Sequence, residues 1–257
     1  MRQAPLREEW AIFLLGVQFL TRVPVPASDV FTPERLTAAT RYYPLIGALI
    51  GGVAAGVYAL AALVWPPAVA VLLCIAAGIA LTGAFHEDGL ADMFDGVGGG
   101  LTRERALEIM KDSRIGTYGT VALLLALALK AAALAAMPAM TVVLALIGAH
   151  ALSRFSAVLV IASSRYVRDH GTAKPVADGV SRASLRIAGA TALALLPALG
   201  WGLGVPALLL GLAGLCLGHL VMRRVFERKL GGYTGDCLGA VQQASELGFY
   251  LGLLAWL

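Results

Sequence analysis

TYGTVALLLALALKAAALAAM, residues 117–137, is followed by one proline, Pro138, and then by AMTVVLALIGAHALSRFSAVLVIA, residues 139–162. Each run reaches the roughly 20 apolar residues that carry a helix across a hydrocarbon core about 30 Å thick. A backbone in lipid must satisfy its own N–H and C=O groups, so the two runs read as a pair of membrane helices joined by a turn at Pro138. The same texture recurs on both sides. Residues 42–65 and 68–85 make a second pair about Pro66 and Pro67. Residues 187–201 and 207–222 make a third through Gly202, Gly204 and Pro206, and 235–257 is a seventh span. Residues 10–20 are apolar but too short to cross, and read as a helix lying in the interface or re-entering the membrane. The expected fold is all-α: a polytopic integral membrane protein of about seven transmembrane helices plus a short N-terminal interfacial or re-entrant helix. No repeat or soluble domain interrupts it, so residues 1–257 read as one domain.

Composition and charge support this reading. The 257 residues are 59% hydrophobic and 14% charged, with mean hydropathy +0.79; soluble domains carry nearer 25% charged residues. Of the 20 Lys and Arg, 18 fall in the N-terminus, the 21–41 connector and the loops 86–116, 163–186 and 223–234. The three opposite turns carry none. By the positive-inside rule those loops face the cytoplasm and the C-terminus lies outside. In the 21–41 connector, which contains Pro24, Pro26 and Pro33, Thr32 is placed to cap a short helix beginning at Pro33. Cys74, Cys216 and Cys237 lack metal-ligand spacing and read as small core residues. Gly47 with Gly51, Gly52 with Gly56, and Gly214 with Gly218 have GxxxG spacing, a weak signal in a chain with 30 glycines. Nothing in the chain points to nucleic acid.

Two basic residues, Lys130 and Arg154, lie inside apolar runs; Glu246 lies in the last run and Asp236 begins it. Charges at membrane depth are costly unless they pair or face water. A cavity reached from the cytoplasm and lined by His150, Arg154 and Glu246 would meet that cost better than snorkelling from a helix end.

The longest polar stretch opens with HEDGLADMFDG, residues 86–96. Asp88, Asp92 and Asp95 stand at i, i+4 and i+7, within about 60° on a helix. At an effective dielectric near 20 each close pair of carboxylates costs roughly 2–4 kcal/mol. A cation would relieve that, and oxygen-only ligands favour Mg²⁺ or Mn²⁺ over zinc. The alternative, a solvated acidic helix end, leaves Gly89 and Gly96 without a purpose. His86 precedes the carboxylates and is a candidate general base, or a structural histidine at a membrane boundary. The loop closes with MKDSRIGTYG, residues 110–119. There Lys111, Ser113 and Arg114 suit a phosphate-rich ligand, Arg114 by bidentate contact, against the plainer role of a positive anchor. The basic loop 163–186, with Arg165, Arg168, Lys174 and Arg182, reads first as a solvated positive loop. A third polar stretch, GGYTGDCLGA, residues 231–240, offers Asp236 as a metal ligand or a partner for an arginine, or else an ordinary capped loop.

Together these stretches, with FLTRVP at 19–24 and YPLIG at 43–47, resemble the cobalamin synthase family, the adenosylcobinamide-GDP ribazoletransferases. HxDGLADxxDG followed by KDSRIGTYG is the specific part of the likeness; Glu87 stands where the family usually has an apolar residue. The resemblance implies a bacterial inner-membrane enzyme with its active-site loops in the cytoplasm. Its cofactor would be Mg²⁺ and its substrates adenosylcobinamide-GDP and α-ribazole or α-ribazole 5′-phosphate. The products would be adenosylcobalamin, or its 5′-phosphate, and GMP. On this reading Asp88, Asp92 and Asp95 hold metal, with His86 beside them for proton transfer. Lys111, Ser113, Arg114, Arg154 and Asp236 serve substrate and phosphate. Self-association, or association with other corrinoid-assembly enzymes, is left open. A CDP-alcohol phosphotransferase is a rival, but its DxxDGxxAR signature is absent. A cation-coupled transporter is another, but those carry mid-membrane sites between symmetric halves.

Overall fold

A computed structural model describes residues 5–25, 31–168 and 179–257. Pro26 and Lys174, named above, lie outside them. The described residues are almost wholly helical: α1 Pro5–Leu20, α2 Pro33–Ala39, a 3₁₀ turn Thr40–Tyr42, α3 Tyr43–Ala61, α4 Pro67–Thr82 and α5 Phe85–Gly99. There follow α6 Arg103–Ile109, α7 Thr117–Ala135, α8 Ala139–Ser163, α9 Arg182–Leu203, α10 Val205–Leu230 and α11 Gly235–Leu254. No strand forms among them; a single bridge pairs Tyr166 with Tyr233. The punctuation is local chemistry. Thr32 accepts from the Arg35 N–H at 3.2 Å, with Pro33 opening α2. Ser181 and Thr234 cap α9 and α11. Gly231, at φ 72°, ends α10 in the left-handed region that glycine enters without a steric penalty.

Five helical stretches are long and apolar enough to cross a membrane: 33–61, α7, α8, α9 and α10. A sixth counts only if α4 and α5 are taken as one broken crossing, and these two meet at 87°. The expected seven is therefore not reached on length and apolarity. α11 has the length, but it carries Asp236, Gln242, Gln243, Ser245 and Glu246. Except for Asp236 those polar side chains are buried, so α11 is a core helix whose polar residues face protein.

Small residues let the helices touch backbone to backbone, which is how helices associate in lipid. A Cβ on Gly47 or Gly51 would strike the His150 or Leu146 carbonyl of α8. One on Gly214 or Gly218 would strike the Gly248 or Ala244 carbonyl of α11. Gly52 and Gly56 face open space.

α1 lies across one end of this bundle. Glu8 pairs with Arg35 at 2.7 Å, and Glu9 with Arg41 at 2.8 Å and with the Tyr42 hydroxyl at 2.6 Å, just before α3. Beyond its other end, the Arg22 N–H bonds the Leu81 carbonyl at the finish of α4 at 2.7 Å. The start of α3 and the finish of α4 are at the same end of one helical pair, so α1 is tethered twice to that end. α5 belongs there as well. It meets the first turns of α7 and α11, and beyond it the Arg103 Nε–H bonds the Leu230 carbonyl at the finish of α10 at 2.7 Å. α5 therefore caps the loop-rich end and is not a spanning helix.

Candidate active site

α4 breaks from α5 at Gly83 and Ala84, both left-handed at φ 67° and 58°. Ala84 is the one non-glycine with positive φ among the described residues; such a residue carries strain of about 1 kcal/mol or more. The Arg22 side chain lies against Gly83 where a Cβ would be. This corner turns α5 across the first turn of α11. The crossing is built on two glycines: a Cβ on Gly89 would sit 2.9 Å from the Asp236 carbonyl, and one on Gly239 2.9 Å from the His86 carbonyl. Asp88 and Asp92 are thereby brought beside Asp236.

The three acidic positions of α5 divide. Asp88 is exposed. Asp92 is half-buried, and burial, then Asp236 and Asp88, push its pKa up to about 7. Asp95 is buried, and its two oxygens take the Gly116 N–H at 2.7 Å and the Gly119 N–H at 2.8 Å. A Cβ at either glycine would collide with that carboxylate. Asp95 thus caps α7, whose own N-cap residue, Gly116, has no side chain for the purpose. Both of its oxygens are engaged there, whereas those of Asp88 and Asp92 lie beside Asp236.

The cations are distributed differently from the sequence expectation. Lys111, Ser113 and Arg114 are exposed. Arg114 closes a local fork on Asp112 at 3.0 and 2.7 Å, which pulls the Asp112 carboxyl down to about 2. The guanidinium at the carboxylates is that of Arg168. Its Nη2 lies 2.8 Å from Asp236 Oδ2 and donates to the Met110 carbonyl at 3.2 Å. Its Nε is buried without a partner. In the sequence Arg168 reads as one charge of a solvated loop. The bridge between Tyr166 and Tyr233 brings it in, with the Val167 N–H on the Tyr233 carbonyl at 3.0 Å; pairing between residues so far apart leaves no periodic signal in the sequence.

Behind the crossing lie two cavities. One, about 140 Å³, is bounded in part by Phe19, Tyr43, Phe85, Arg154, Asp88 and Asp236. The other, about 20 Å³, is lined by His150, Arg154 and Glu246, as expected, and also by Lys130 and Glu87; it has room for about one water. Lys130 pairs with Glu246 at 2.8 Å and donates to Gln243 Oε1 at 2.9 Å. Gln243 in turn donates to Glu87 at 2.9 Å. Lys130 and Glu246 thus meet the cost of their depth by pairing, while Arg154 donates to the His150 carbonyl at 2.9 Å. Glu87 is tied into this network through Gln243. His86 and Arg154 line both cavities.

Among the described residues no three His, Cys, Asp or Glu side chains converge on a ready-made metal centre. The donors at the crossing are carboxylates that repel one another, which fits a hard cation bound through one or two carboxylates, water and substrate phosphate.

A family model described as cobalamin-5-phosphate synthase matches residues 12–254. The chain is 50% identical to an adenosylcobinamide-GDP ribazoletransferase of Leptothrix cholodnii, over 98% of each chain. It is 46% identical to the protein of that name from Ralstonia pickettii, again over 98% of each. With that of Vibrio cholerae the identity is 44%, over 99% of this chain and 97% of the relative. No solved structure matches.

Proposed function

The chain belongs to the cobalamin-5-phosphate synthase family, and from that premise we propose how its residues carry out the reaction its relatives' name describes. It transfers the adenosylcobinamide phosphate of adenosylcobinamide-GDP to α-ribazole or its 5′-phosphate and releases GMP, the last assembly step of cobalamin. A ribazole hydroxyl oxygen forms a bond to the corrinoid-bound phosphorus. The bond from that phosphorus to the bridging oxygen breaks, and the electron pair leaves with GMP. The observation that carries the assignment is the Gly89–Gly239 crossing, which sets two repelling carboxylates of α5 against the Asp236–Arg168 pair.

Asp88, Asp92 and Asp236 would hold Mg²⁺, which when bound neutralises the diphosphate and polarises the phosphorus under attack. Arg168 offers its free Nε–H to a phosphate oxygen of the departing GMP. The hydroxyl proton passes to His86 or to one of the carboxylates. Lys111 and Arg114, on the exposed loop, would meet the nucleotide only at its outer edge. We further propose one domain in a bacterial inner membrane with this end in the cytoplasm, supported by the placement of 18 of the 20 Lys and Arg.

The test is GMP release from adenosylcobinamide-GDP and α-ribazole in membranes, with Mg²⁺ or EDTA, for wild type and for Arg168→Lys. The expected result is Mg²⁺-dependent GMP with a matching corrinoid product, reduced at least about tenfold in Arg168→Lys, where the planar fork is lost. Wild-type turnover undiminished in EDTA would remove the metal from this account. Full activity in Arg168→Lys would remove the arginine.

A further inference from the structure

The first turn of α5 is held from inside the bundle by a chain of polar groups that the transfer chemistry does not use. Lys130, Glu87 and Gln243 are buried, at 5%, 8% and 4% exposed. The Lys130 ammonium donates to Gln243 Oε1 at 2.9 Å, and Gln243 Nε2 donates to Glu87 Oε1 at 2.9 Å. An ammonium only donates and a carboxylate only accepts, so a residue joining them must accept at one end and donate at the other. Glutamine does both, and its two partners fix which way its amide faces. The chain runs from within α7, through α11, to α5. Its far end is anchored by the 2.8 Å pair between Lys130 and Glu246. Its near end, Glu87, stands beside Asp88 and three residues after Ala84, the strained residue of the corner. Such strain persists only where the surroundings over-determine it. At the other end of α5, Asp95 holds the Gly116 and Gly119 N–H groups at the start of α7. α5 is thus fastened to α7 twice, directly through Asp95 and by way of Gln243 through Glu87.

We propose that Gln243 is a positioning residue for the transfer site: by tying Glu87 to Lys130 it fixes which face of α5 is turned toward Asp236. The inference rests on the metal reading above and adds what holds the proposed ligands in register. Consecutive residues of a helix point about 100° apart. With Glu87 drawn into the bundle, Asp88 is turned out to solvent and Asp92, one turn on, lies beside Asp236. Without the Gln243 amide, the Glu87 carboxylate is left buried with no donor, a costly state that the chain escapes by moving the group. Glu87 cannot turn outward without rotating the first turn of α5 and carrying Asp88 with it. The corner at Ala84 releases strain in the same movement, so nothing local opposes it.

The experiment exchanges the two groups. Gln243→Glu keeps the Lys130 contact but sets one carboxylate against another. Glu87→Gln keeps the contact with Gln243, because the new amide still accepts through its oxygen. The double variant restores both links, with the amide donating from position 87 and the carboxylate at 243 accepting from it and from Lys130. Mn²⁺ affinity is read on the purified protein from the EPR signal of unbound Mn²⁺, beside the melting temperature and kcat for GMP release. Mn²⁺ should bind about tenfold more weakly in Gln243→Glu, the usual effect of removing a group that orients a metal ligand. It should stay within about twofold of wild type in Glu87→Gln and return to within about threefold in the double variant. Charge alone gives the opposite signs, since Gln243→Glu adds a negative charge near the cation and Glu87→Gln removes one; that pattern would overturn the proposal. So would a lower melting temperature in Gln243→Glu with Mn²⁺ affinity unchanged, or a double variant no better than Gln243→Glu. If Gln243→Glu does not fold, Gln243→Met, of similar shape and with neither group, takes its place, and unchanged affinity there overturns the proposal. A wild type that releases GMP but binds no Mn²⁺ would sink the metal reading alone. The chain is then judged on kcat, which should fall at least about tenfold in Gln243→Glu and recover in the double variant; unchanged kcat would overturn it. The expected Mn²⁺ pattern in a protein that releases no GMP would keep the positioning and sink the reaction.

Discussion

Asp92 and Asp95 lie three residues apart on α5 and their environments oppose one another. Asp92 is pushed up to about 7, first by burial and then by Asp236 and Asp88, against about 3.9 in an unfolded chain. A carboxyl whose folded pKa is the higher one binds more protons folded than unfolded, so its contribution to stability falls as pH rises from about 4 through 7. Asp92→Asn, in EDTA and detergent, should therefore raise the melting temperature at pH 8 by a few degrees, at about 2–4 °C per kcal/mol for a chain of this size. At pH 5 the rise should be about a third as large, and the same substitution should cost at least about 100-fold in Mg²⁺-dependent activity. Asp95→Asn should do the reverse. With one oxygen fewer, Gly116 or Gly119 loses its acceptor, and stability falls by about 1–2 kcal/mol at both pH values. Its half-saturating Mg²⁺ concentration should hold. Melting curves at the two pH values, with a Mg²⁺ titration of activity, separate the roles; a pH-independent shift in Asp92→Asn would refute the repulsion argument. The i, i+4, i+7 spacing made the carboxylate face legible in the sequence. The division of labour on it was not legible, because the Gly116 and Gly119 N–H groups come from a segment more than twenty residues away. The same holds for Arg114 and Arg168: sequence shows two arginines in polar loops, and the pairing of Tyr166 with Tyr233 decides which reaches the site.

At the scale of elements, the site exists because α5 and α11 cross in backbone contact at Gly89 and Gly239. Gly89→Ala would set a Cβ 2.9 Å from the Asp236 carbonyl and 3.1 Å from its Cα. Neither is the end of a flexible side chain, so the helices must part and Asp236 must move relative to Asp88 and Asp92. Misplacement of about 1 Å at a reacting centre can cost on the order of 100-fold in rate. Activity in Gly89→Ala should fall by about that much while the protein still inserts in membranes. Gly52→Ala, facing open space, should leave activity intact and serves as the control. Equal activity in the two variants would mean that the crossing does not set the geometry. GxxxG spacing alone could not make this distinction. It says which residues share a helix face, but not whether another helix lies on that face: Gly47 with Gly51 and Gly214 with Gly218 meet one, and Gly52 with Gly56 do not.

For the whole molecule, hydropathy located α7 and α8 nearly to the residue and failed in three informative places. α10 continues to Leu230, eight residues past the apolar run, because Arg223, Arg224, Arg228 and Lys229 extend it out of the apolar layer. Residues 235–257 read as a span, yet α11 carries too many polar residues to pass as one on length and apolarity; they face a protein interior that hydropathy cannot see. α1 could not be assigned a path from sequence. Its path follows from the tethers: Glu8 and Glu9 at its first turn, and Arg22 just past its last, are all fastened at the loop-rich end. A helix of 16 residues is about 24 Å long, so had it crossed, Arg22 would have reached the far side, near the turn around Leu63, and not Leu81. Single cysteines in place of Leu6, Val23 and Leu101, in a background lacking Cys216, should all react with a membrane-impermeant maleimide from the cytoplasmic face. Cysteines in place of Leu63 and Val205, in the turns without Lys or Arg, should react from the opposite face. If the cysteines at positions 6 and 23 react from opposite faces, α1 crosses and its tethers are misread. If position 101 reacts from outside, the carboxylates face the wrong compartment for a nucleotide substrate, and the orientation drawn from the basic loops is overturned.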